Sequence, residues 1–285
     1  MTPRLLHICL LCLAIPLAGC LVQHRIVAPP GKVRNRPLLT ASKDELIQRL
    51  RETFAPIHSF NMRADMSASV GKLYGGELTD YATVRTYVLF LRPADIRVIG
   101  LDPVVHSSTI FDMVSTGNDF RVSIPSKERF IIGDNDAPPS STNRLENMRP
   151  AAFLDSLVIA PPSPSDTTLL EDDTDESKAI YILFMAGEEQ GQLRLKRAVF
   201  FDRYTLRIAR QKTFAPSGAT ISETLYSEWK PYGEIPYPSV IQIRRPIDGY
   251  EVTMTVVDMA MNTPEVTPAK FELKQPPDAR VTILK

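Results

Sequence analysis

The chain has 285 residues, with 33 basic and 33 acidic side chains, 24 prolines, 13 glycines and 3 cysteines. A net charge of zero supplies no field that would gather nucleic acid, and 23% charged with 44% hydrophobic residues is typical of a folded protein. Three cysteines are too few for a disulfide-rich scaffold. These counts exclude a nucleic-acid-binding protein, a disordered chain and a disulfide-stapled domain.

The amino terminus has the pattern of a signal peptide. Its first charge is Arg4, and an apolar run over residues 5–17 follows, interrupted only by His7 and Pro16. A helix that spans a bilayer needs roughly 20 apolar residues. The run is shorter than that and has the size of a signal-peptide core. We therefore predict that residues 1–19 are a signal peptide.

All three cysteines lie in the first twenty residues, and the last of them closes the segment Leu17-Ala18-Gly19-Cys20. This segment resembles the lipobox of bacterial lipoproteins. The resemblance implies cleavage between Gly19 and Cys20 and a diacylglycerol on the Cys20 sulfur, with two or three acyl chains giving stable membrane anchoring. The alternatives are an ordinary secretory signal with a chance cysteine, or an uncleaved anchor. The next residue is Leu21 rather than Asp, which by the same resemblance favours the outer membrane, facing the periplasm.

Residues 20–41 have the composition of a tether. Prolines interrupt this segment, it lacks apolar periodicity, and its charges are basic. A helix is predicted after it, because Ser42 and Glu45 have the spacing of a capping box and Pro56 ends the pattern. Its apolar face consists of Leu46, Ile47, Leu50 and Phe54.

The remainder of the chain, residues 42–285, is predicted to be one domain in which strands dominate. A second helical patch covers residues 147–159, with Pro150 in its first turn. The order helix, strands, helix, strands disfavours a doubly wound parallel sheet. It predicts a mainly β, α+β fold, with an antiparallel sheet of about ten strands and two short covering helices. Strand patterns occur at 59–70, 81–91, 96–101, 108–115, 120–124, 129–132, 179–185, 192–202, 206–214, 222–229, 240–244 and 251–259.

An acidic stretch, residues 163–178, separates the second helical patch from the later strands. It contains six carboxylates between Asp166 and Glu176. Acidic clusters bind calcium when glycine and a terminal glutamate stand at EF-hand spacing, and this stretch lacks both. We predict a solvated loop.

The order of elements over residues 42–275 resembles the lipoprotein-localisation family of LolA and LolB. The likeness includes a helix and a Phe-bearing first strand (46–60), the segment Arg92-Pro93-Ala94-Asp95-Ile96-Arg97, and Asn262 before a closing Phe271. It implies an incomplete antiparallel β-barrel closed by helices, with an apolar groove for acyl chains. Because LolB is itself a lipoprotein, the lipobox favours the LolB-like side of the family.

Apolar residues occupy both faces of several predicted strands, whereas a single antiparallel sheet normally leaves one face wet. We interpret them as the wall of an acyl-chain groove, or as a core covered by the helices; the two are compatible. Methionines suit such a wall because they adapt to irregular guests. The predicted groove-lining residues are Met62, Met66, Tyr87, Leu89, Leu91, Ile182, Phe184 and Met254.

The sequence contains no nucleophile elbow, zinc-binding His-Glu-x-x-His or phosphate-binding loop. His58 has no nearby Asp or Ser pattern, and His106, flanked by Asp102 and Asp112, is a weak acid–base candidate. We therefore expect no enzymatic activity, no metal and no cofactor.

The expected function is that of an outer-membrane lipoprotein that binds acyl chains or lipoproteins, in lipoprotein sorting or lipid handling. Its expected partners are the membrane, through the lipid anchor, and acyl chains or lipoproteins delivered by a periplasmic carrier. The alternative is a structural or assembly lipoprotein of the envelope that binds another protein.

Overall fold

The computed structural model describes residues 36–73, 76–105, 107–117, 119–135 and 144–284. The predicted signal peptide, Cys20 with its cleavage site, most of the tether and His106 lie outside the described residues. Helix α1 (Lys43–Phe54) begins with the predicted capping box: the Ser42 side chain accepts from the Glu45 amide, and the Glu45 carboxylate accepts from the Ser42 amide. It buries the four predicted apolar residues. Helix α2 (Pro150–Leu157) carries its proline in the first turn, as predicted.

Fifteen strands of the described residues form one sheet. They are β1 (Ser59–Gly71), β2 (Leu78–Asp80), β3 (Val84–Leu91), β4 (Asp95–Leu101), β5 (Thr109–Thr116), β6 (Asp119–Ile124), β7 (Arg129–Asp134), β8 (Thr167–Thr174), β9 (Ala179–Glu189), β10 (Gln192–Asp202), β11 (Ile208–Phe214), β12 (Thr220–Tyr232), β13 (Ile235–Arg245), β14 (Tyr250–Met261) and β15 (Arg280–Leu284).

The sheet is open, with β15 at one end and β8 at the other, in the order β15-β7-β6-β5-β4-β3-β1-β14-β13-β12-β11-β10-β9-β8. Strand β2 pairs with β1 outside this order. All pairings are antiparallel except β15 with β7. The mainly β fold with an unclosed sheet and two helices is thus confirmed, although the sheet has more than the predicted number of strands.

We call the face of the sheet that packs on α1 and α2 the inner face, and the opposite one the outer face. The main hydrophobic core lies between the inner face and the helices. Strand β1 shows why: its inner residues, from Phe60 through Met66 to Ala68, are apolar and buried at every second position. Between them, Arg63 and Asp65 point outward to ion pairs with Asp258 and Arg85.

Two smaller apolar clusters lie on the outer face. One is covered by the segment 262–279, in which Val266 and Phe271 pack on Val114. The other, formed by Ile182, Ala198 and Phe200, is partly covered by the Arg210 guanidinium, 3.8 Å from the centre of the Phe200 ring. Parts of the outer face are therefore shielded from solvent. This shielding explains why several strands carry apolar residues on both faces.

The predicted loop at 163–178 was wrong over its central residues, because Thr167–Thr174 is the edge strand β8 and pairs along its length with β9. Its backbone bonds to β9 do not require apolar side chains, and charged residues suit an edge that faces water. Two of its carboxylates are paired, Asp172 with Arg203 and Asp173 with Lys178. The other strands without a sequence signal, β2 and β15, are short; β15 lies at one end of the sheet, and β2 pairs with the last residues of β1.

Within the part of the chain that the structure describes, no helix has both the length and the apolar character needed to cross a membrane.

Candidate functional site

An apolar cavity of about 440 Å³ opens on the inner face, between β1, β3, β5 and β6. A cavity of this size falls at the lower end of the range in which small ligands bind, roughly 300–1,000 Å³. Its lining is apolar except for Tyr81, Ser126 and Lys127. The full set is Met66, Ala68, Tyr81, Ala82, Val84, Pro103, Ile110, Phe111, Met113, Val122, Ile124, Ser126, Lys127 and Met148.

The cavity has a buried floor and an exposed mouth. Met66, Met113 and Met148 are all buried and form part of the floor, together with Val122. Tyr81, which is 44% exposed, and the exposed Ala82 stand at the mouth. Three methionines in one floor give an adaptable surface, because the thioether side chain has several low-energy conformations.

Strand periodicity and one glycine create this wall. Along β6, Phe120, Val122 and Ile124 alternate with Arg121 and Ser123, so the apolar set faces inward. On the neighbouring strands, Gly100 faces Phe111, and a Cβ at position 100 would clash with the Phe111 ring. The glycine therefore allows the ring to lie flat enough against β4 to line the cavity.

The residues predicted to line a groove are not brought together. Met66 lines the cavity, while Met62 and Met254 lie on the same face but are fully buried in the core. Leu89 and Leu91 of β3 face outward and pack beneath the segment 262–279.

The other three predicted residues also lie on the outer face. Tyr87 is 38% exposed there, and Ile182 and Phe184 of β9 belong to the second outer cluster. The odd-numbered residues of β3 and the even-numbered residues of β9 point away from the helices, because side chains alternate along a strand. The apolar composition of these strands did not show which alternate residues face the helices.

The sequence interpretation missed most of the cavity wall, including Phe111, Met113, Val122, Ile124 and Met148. A signal was available for β6, where charged and polar residues at alternate positions mark the outer face. No comparable pattern marks Met148, which reaches the cavity from the segment between β7 and α2.

Side chains of the sheet hold helix α2 on the inner face by its carboxyl end. The last carbonyls of a helix have no partner within it. Here Gln211 donates to the Asp155 carbonyl (3.0 Å), Tyr226 to that of Ser156 (2.9 Å) and Tyr237 to that of Leu157 (2.8 Å). Burial raises the pKa of both tyrosines, so they remain neutral donors. The helix is thereby fixed by hydrogen bonds as well as by packing.

The amino end of α2 carries a buried arginine. Arg149 is 7% exposed, and its Cζ lies 4.5 Å from the centre of the Phe120 ring. Among the residues that the structure describes, none accepts a hydrogen bond from its Nε or Nη1. Burial lowers the pKa of Arg149, although the nearby charge of Asp248 opposes this shift. Asp248 itself is engaged by Arg245.

A second depression, of about 450 Å³, lies beside α1. Charged side chains contribute to its wall, among them Arg49, Glu52 and Arg207, the last of which stands over the Trp229 ring. This lining suits an acyl chain less well than that of the apolar cavity.

His106, the weak acid–base candidate, lies outside the described residues. Of the two acids that flank it, Asp112 has a structural partner, because both of its oxygens accept from Arg97. Across the described ranges, no group of three or more His, Cys, Asp or Glu side chains is arranged to hold a metal ion.

No protein-family model and no curated protein matches the sequence. Solved structures do match the fold. A LolA superfamily protein from Nitrosomonas europaea superposes with a TM-score of 0.50 at 14% identity, covering 82% of this chain and 99% of its own. A DUF1329 family protein from Desulfovibrio piger gives a TM-score of 0.50 at 13% identity, covering 81% and 95%. At these identities the likeness shows the fold alone, which this chain shares with both structures.

Proposed function

We propose that this protein is a lipid-anchored protein of the cell envelope that binds an acyl chain in the apolar cavity. The observation that carries the proposal is the cavity itself, a space of about 440 Å³ with eleven apolar residues among the fourteen in its wall. The LolA-superfamily type of fold and the lipobox-like segment ending at Cys20 support the same interpretation.

The energetics are sufficient without catalysis. Transfer of one CH₂ group from water to an apolar site contributes about 0.8 kcal/mol, so a 16-carbon chain gains on the order of 12 kcal/mol when fully buried. Loss of translational and conformational freedom offsets several kcal/mol of this gain. The remainder is enough for specific binding, and it needs no reactive side chain.

Within this proposal, Cys20 carries the acyl anchor and the protein resides at the outer membrane, facing the periplasm. The cavity would receive an acyl chain from a periplasmic carrier or from the membrane. The absence of Asp after Cys20 supports the outer membrane. At the described start of the chain, the Leu39 amide donates to the carbonyl of Arg203, whose side chain pairs with Asp172 of β8.

Blocking the mouth of the cavity tests this function. Ala82 lines the mouth and is exposed, so Ala82→Trp should obstruct entry without overpacking the core. We expect this variant to bind hexadecanol at least about tenfold more weakly than the wild type, measured by isothermal titration calorimetry, because the entering chain loses several buried CH₂ groups.

The matched control is Thr83→Trp, at the neighbouring exposed residue, which does not line the cavity. It should bind hexadecanol with wild-type affinity. Equal affinities in the wild type and Ala82→Trp, or no binding by the wild type, would disprove acyl-chain binding in this cavity.

A further inference from the structure

The only tryptophan of the chain, Trp229, lies in the wall of the second depression, beside α1. Phe201, Leu206 and Ile208, which are all buried, line the same depression, and Pro236 completes its apolar part. Its volume of about 450 Å³ falls at the lower end of the range in which small ligands bind. The apolar part of the wall can therefore receive an aromatic or branched side chain.

The backbone that carries this wall is unusual. Leu206 has φ = 54° and Glu228 has φ = 55°, a left-handed conformation that few residues other than glycine adopt. Tyr226 points to the inner face, so alternation along β12 would place Trp229 on the outer face. The Trp229 ring packs instead on the main core, and the left-handed Glu228 stands between the two. Backbone outliers of this kind cluster at ligand sites.

Two arginines from different elements form the polar part of the wall. Arg49 comes from α1, and Arg207 comes from the connection between β10 and β11. One N–H group of Arg207 donates to the Trp229 carbonyl (3.5 Å). Among the described residues, no carboxylate forms an ion pair with either guanidinium. Both guanidiniums therefore have donors to offer a guest.

The carboxylates near these arginines have other partners. Glu52, the only acidic residue in the wall, accepts from the Gln48 side chain (3.0 Å). The charge of Arg49 also acts on Glu45, one turn earlier in α1, but the Glu45 carboxylate accepts from the Ser42 amide in the capping box. The arginines thus remain available to an acidic group from outside.

A third depression, of about 250 Å³, continues the second one along α1 toward its amino end. Arg49, Glu52 and Leu206 line both depressions. The remaining wall of the third depression is mostly polar and consists of Thr40, Ala41, Glu45 and Gln48. A guest longer than one residue can therefore extend from the apolar wall into a space whose side chains suit a peptide backbone.

We propose that the second depression binds the C-terminal residue of a polypeptide. Its apolar side chain lies against Trp229, its carboxylate is bound by Arg49 and Arg207, and the residues before it occupy the third depression. Guanidinium groups match a carboxylate because they donate two parallel hydrogen bonds, and capture of a terminal carboxylate is a recurring mode of peptide recognition. This site is separate from the apolar cavity and does not depend on acyl-chain binding.

The test uses the fluorescence of Trp229, which reports on this depression alone because the chain has no other tryptophan. The probes are an N-acetylated peptide of four alanines and a C-terminal phenylalanine, the same peptide as its C-terminal amide, and N-acetylphenylalanine. In the full chain, the acid should bind about 10- to 100-fold more tightly than the amide, the ratio expected for charge-assisted hydrogen bonds. It should bind at least about tenfold more tightly than N-acetylphenylalanine, since only the peptide occupies the third depression.

Arg49→Met should lose the preference for the acid while its affinity for the amide stays at the wild-type value. Position 49 is exposed on α1 and methionine is a good helix former, so the fold should be unaffected. The matched control is Arg51→Met, at an exposed position of the same helix that lines neither depression. It should bind all three probes like the wild type.

Equal binding of the acid and the amide by the wild type would overturn the proposal, and so would an unchanged preference in Arg49→Met. If N-acetylphenylalanine bound as tightly as the peptide, the polypeptide would be excluded and a free apolar acid identified as the ligand. A Trp229 signal that responds to none of the probes would refute the site. None of these outcomes bears on hexadecanol binding in the apolar cavity, so failure of this proposal and failure of the proposed function are distinguishable.

Discussion

Asn262 shows how a single side chain can close this fold. Its Oδ1 accepts from the amides of His58 and Ser59, and its Nδ2 donates to the Pro56 carbonyl. Its backbone lies at φ = 55°, a left-handed conformation that asparagine adopts more readily than most residues. One residue after β14 thereby fixes the turn that joins α1 to β1.

Two other residues that carried the family resemblance also join separate segments of the chain by hydrogen bonds. Arg92 donates to the carbonyls of Phe54 and Ile57, at the end of α1. Arg97 binds Asp112 and donates to the Lys270 carbonyl, which holds down the segment that Phe271 anchors. None of these residues lines the apolar cavity.

Two substitutions of Asn262 separate its side-chain bonds from its backbone conformation. Asn262→Gly keeps the left-handed backbone and loses three hydrogen bonds, so we expect it to lower the free energy of unfolding by about 1–3 kcal/mol. Asn262→Ala also forces alanine into that backbone, which should cost about 1 kcal/mol more. Urea unfolding measures both. If the alanine variant were as stable as the wild type, the closing role of Asn262 would be refuted.

At the scale of elements, α2 depends on the sheet for its stability. It has only eight residues, and isolated helices of that length are marginal in water. Its apolar residues Phe153 and Leu157 enter the core, and its last carbonyls accept from side chains of β11, β12 and β13. Helix α1, in contrast, has its own capping box and a longer apolar stripe. The capping and periodicity of α1 were therefore visible in the sequence, whereas α2 is stabilised by distant residues.

Removing two hydroxyl groups should loosen α2 selectively. The double variant Tyr226→Phe, Tyr237→Phe keeps both rings in the core and leaves the carbonyls of Ser156 and Leu157 without donors. We expect a loss of about 2–4 kcal/mol in the free energy of unfolding, since each orphaned buried carbonyl costs about 1–3 kcal/mol.

Hydrogen exchange should show that, relative to the wild type, the double variant accelerates exchange of the α2 amides more than exchange of the α1 amides. Tyr87→Phe is the control, because Tyr87 is on the outer face and 38% exposed, and it should leave both measurements unchanged. An undiminished stability of the double variant would show that packing alone holds α2.

At the scale of the whole molecule, the first described residues and the cavity lie in different parts of the sheet. The described chain begins next to β8, where Lys43 donates to the Thr168 carbonyl and Leu39 pairs with Arg203. The cavity is built from β1 to β6 and from Met148, in the other half of the strand order. The described start of the chain is therefore separated from the cavity in the strand order.

Substituting the proposed lipidated cysteine tests the anchor. In native cells, the wild-type protein should sediment with the membrane fraction, and intact-mass spectrometry should show a chain that begins at Cys20 and carries acyl groups. Cys20→Ala should lose the acyl groups, because the thiol that accepts the diacylglycerol is gone. Cys12→Ala, which changes a residue of the proposed signal peptide, should yield the same mature product as the wild type. A mature chain without acylation at Cys20 would disprove the lipid anchor.

The sequence by itself determined the local features of this protein. Capping chemistry located α1, proline located the start of α2, and runs of β-prone residues separated by turn residues located most of the strands, because these signals involve residues close in the chain. The fold type followed from the order of the elements. The strand with acidic residues, β8, was missed because its pairing with β9 uses the backbone and leaves little trace in composition.

Only the tertiary structure decided which apolar residues face the helices and which lie beneath the segment 262–279. In a strand that is apolar on both faces, no alternation of apolar and polar residues marks the inner face. Leu89 and Leu91 could therefore not be distinguished from the inner residues of β3. The same holds for the cavity. Met148 comes from the segment before α2 and Phe111 packs on Gly100 of the neighbouring strand, and only the folded sheet brings these residues together.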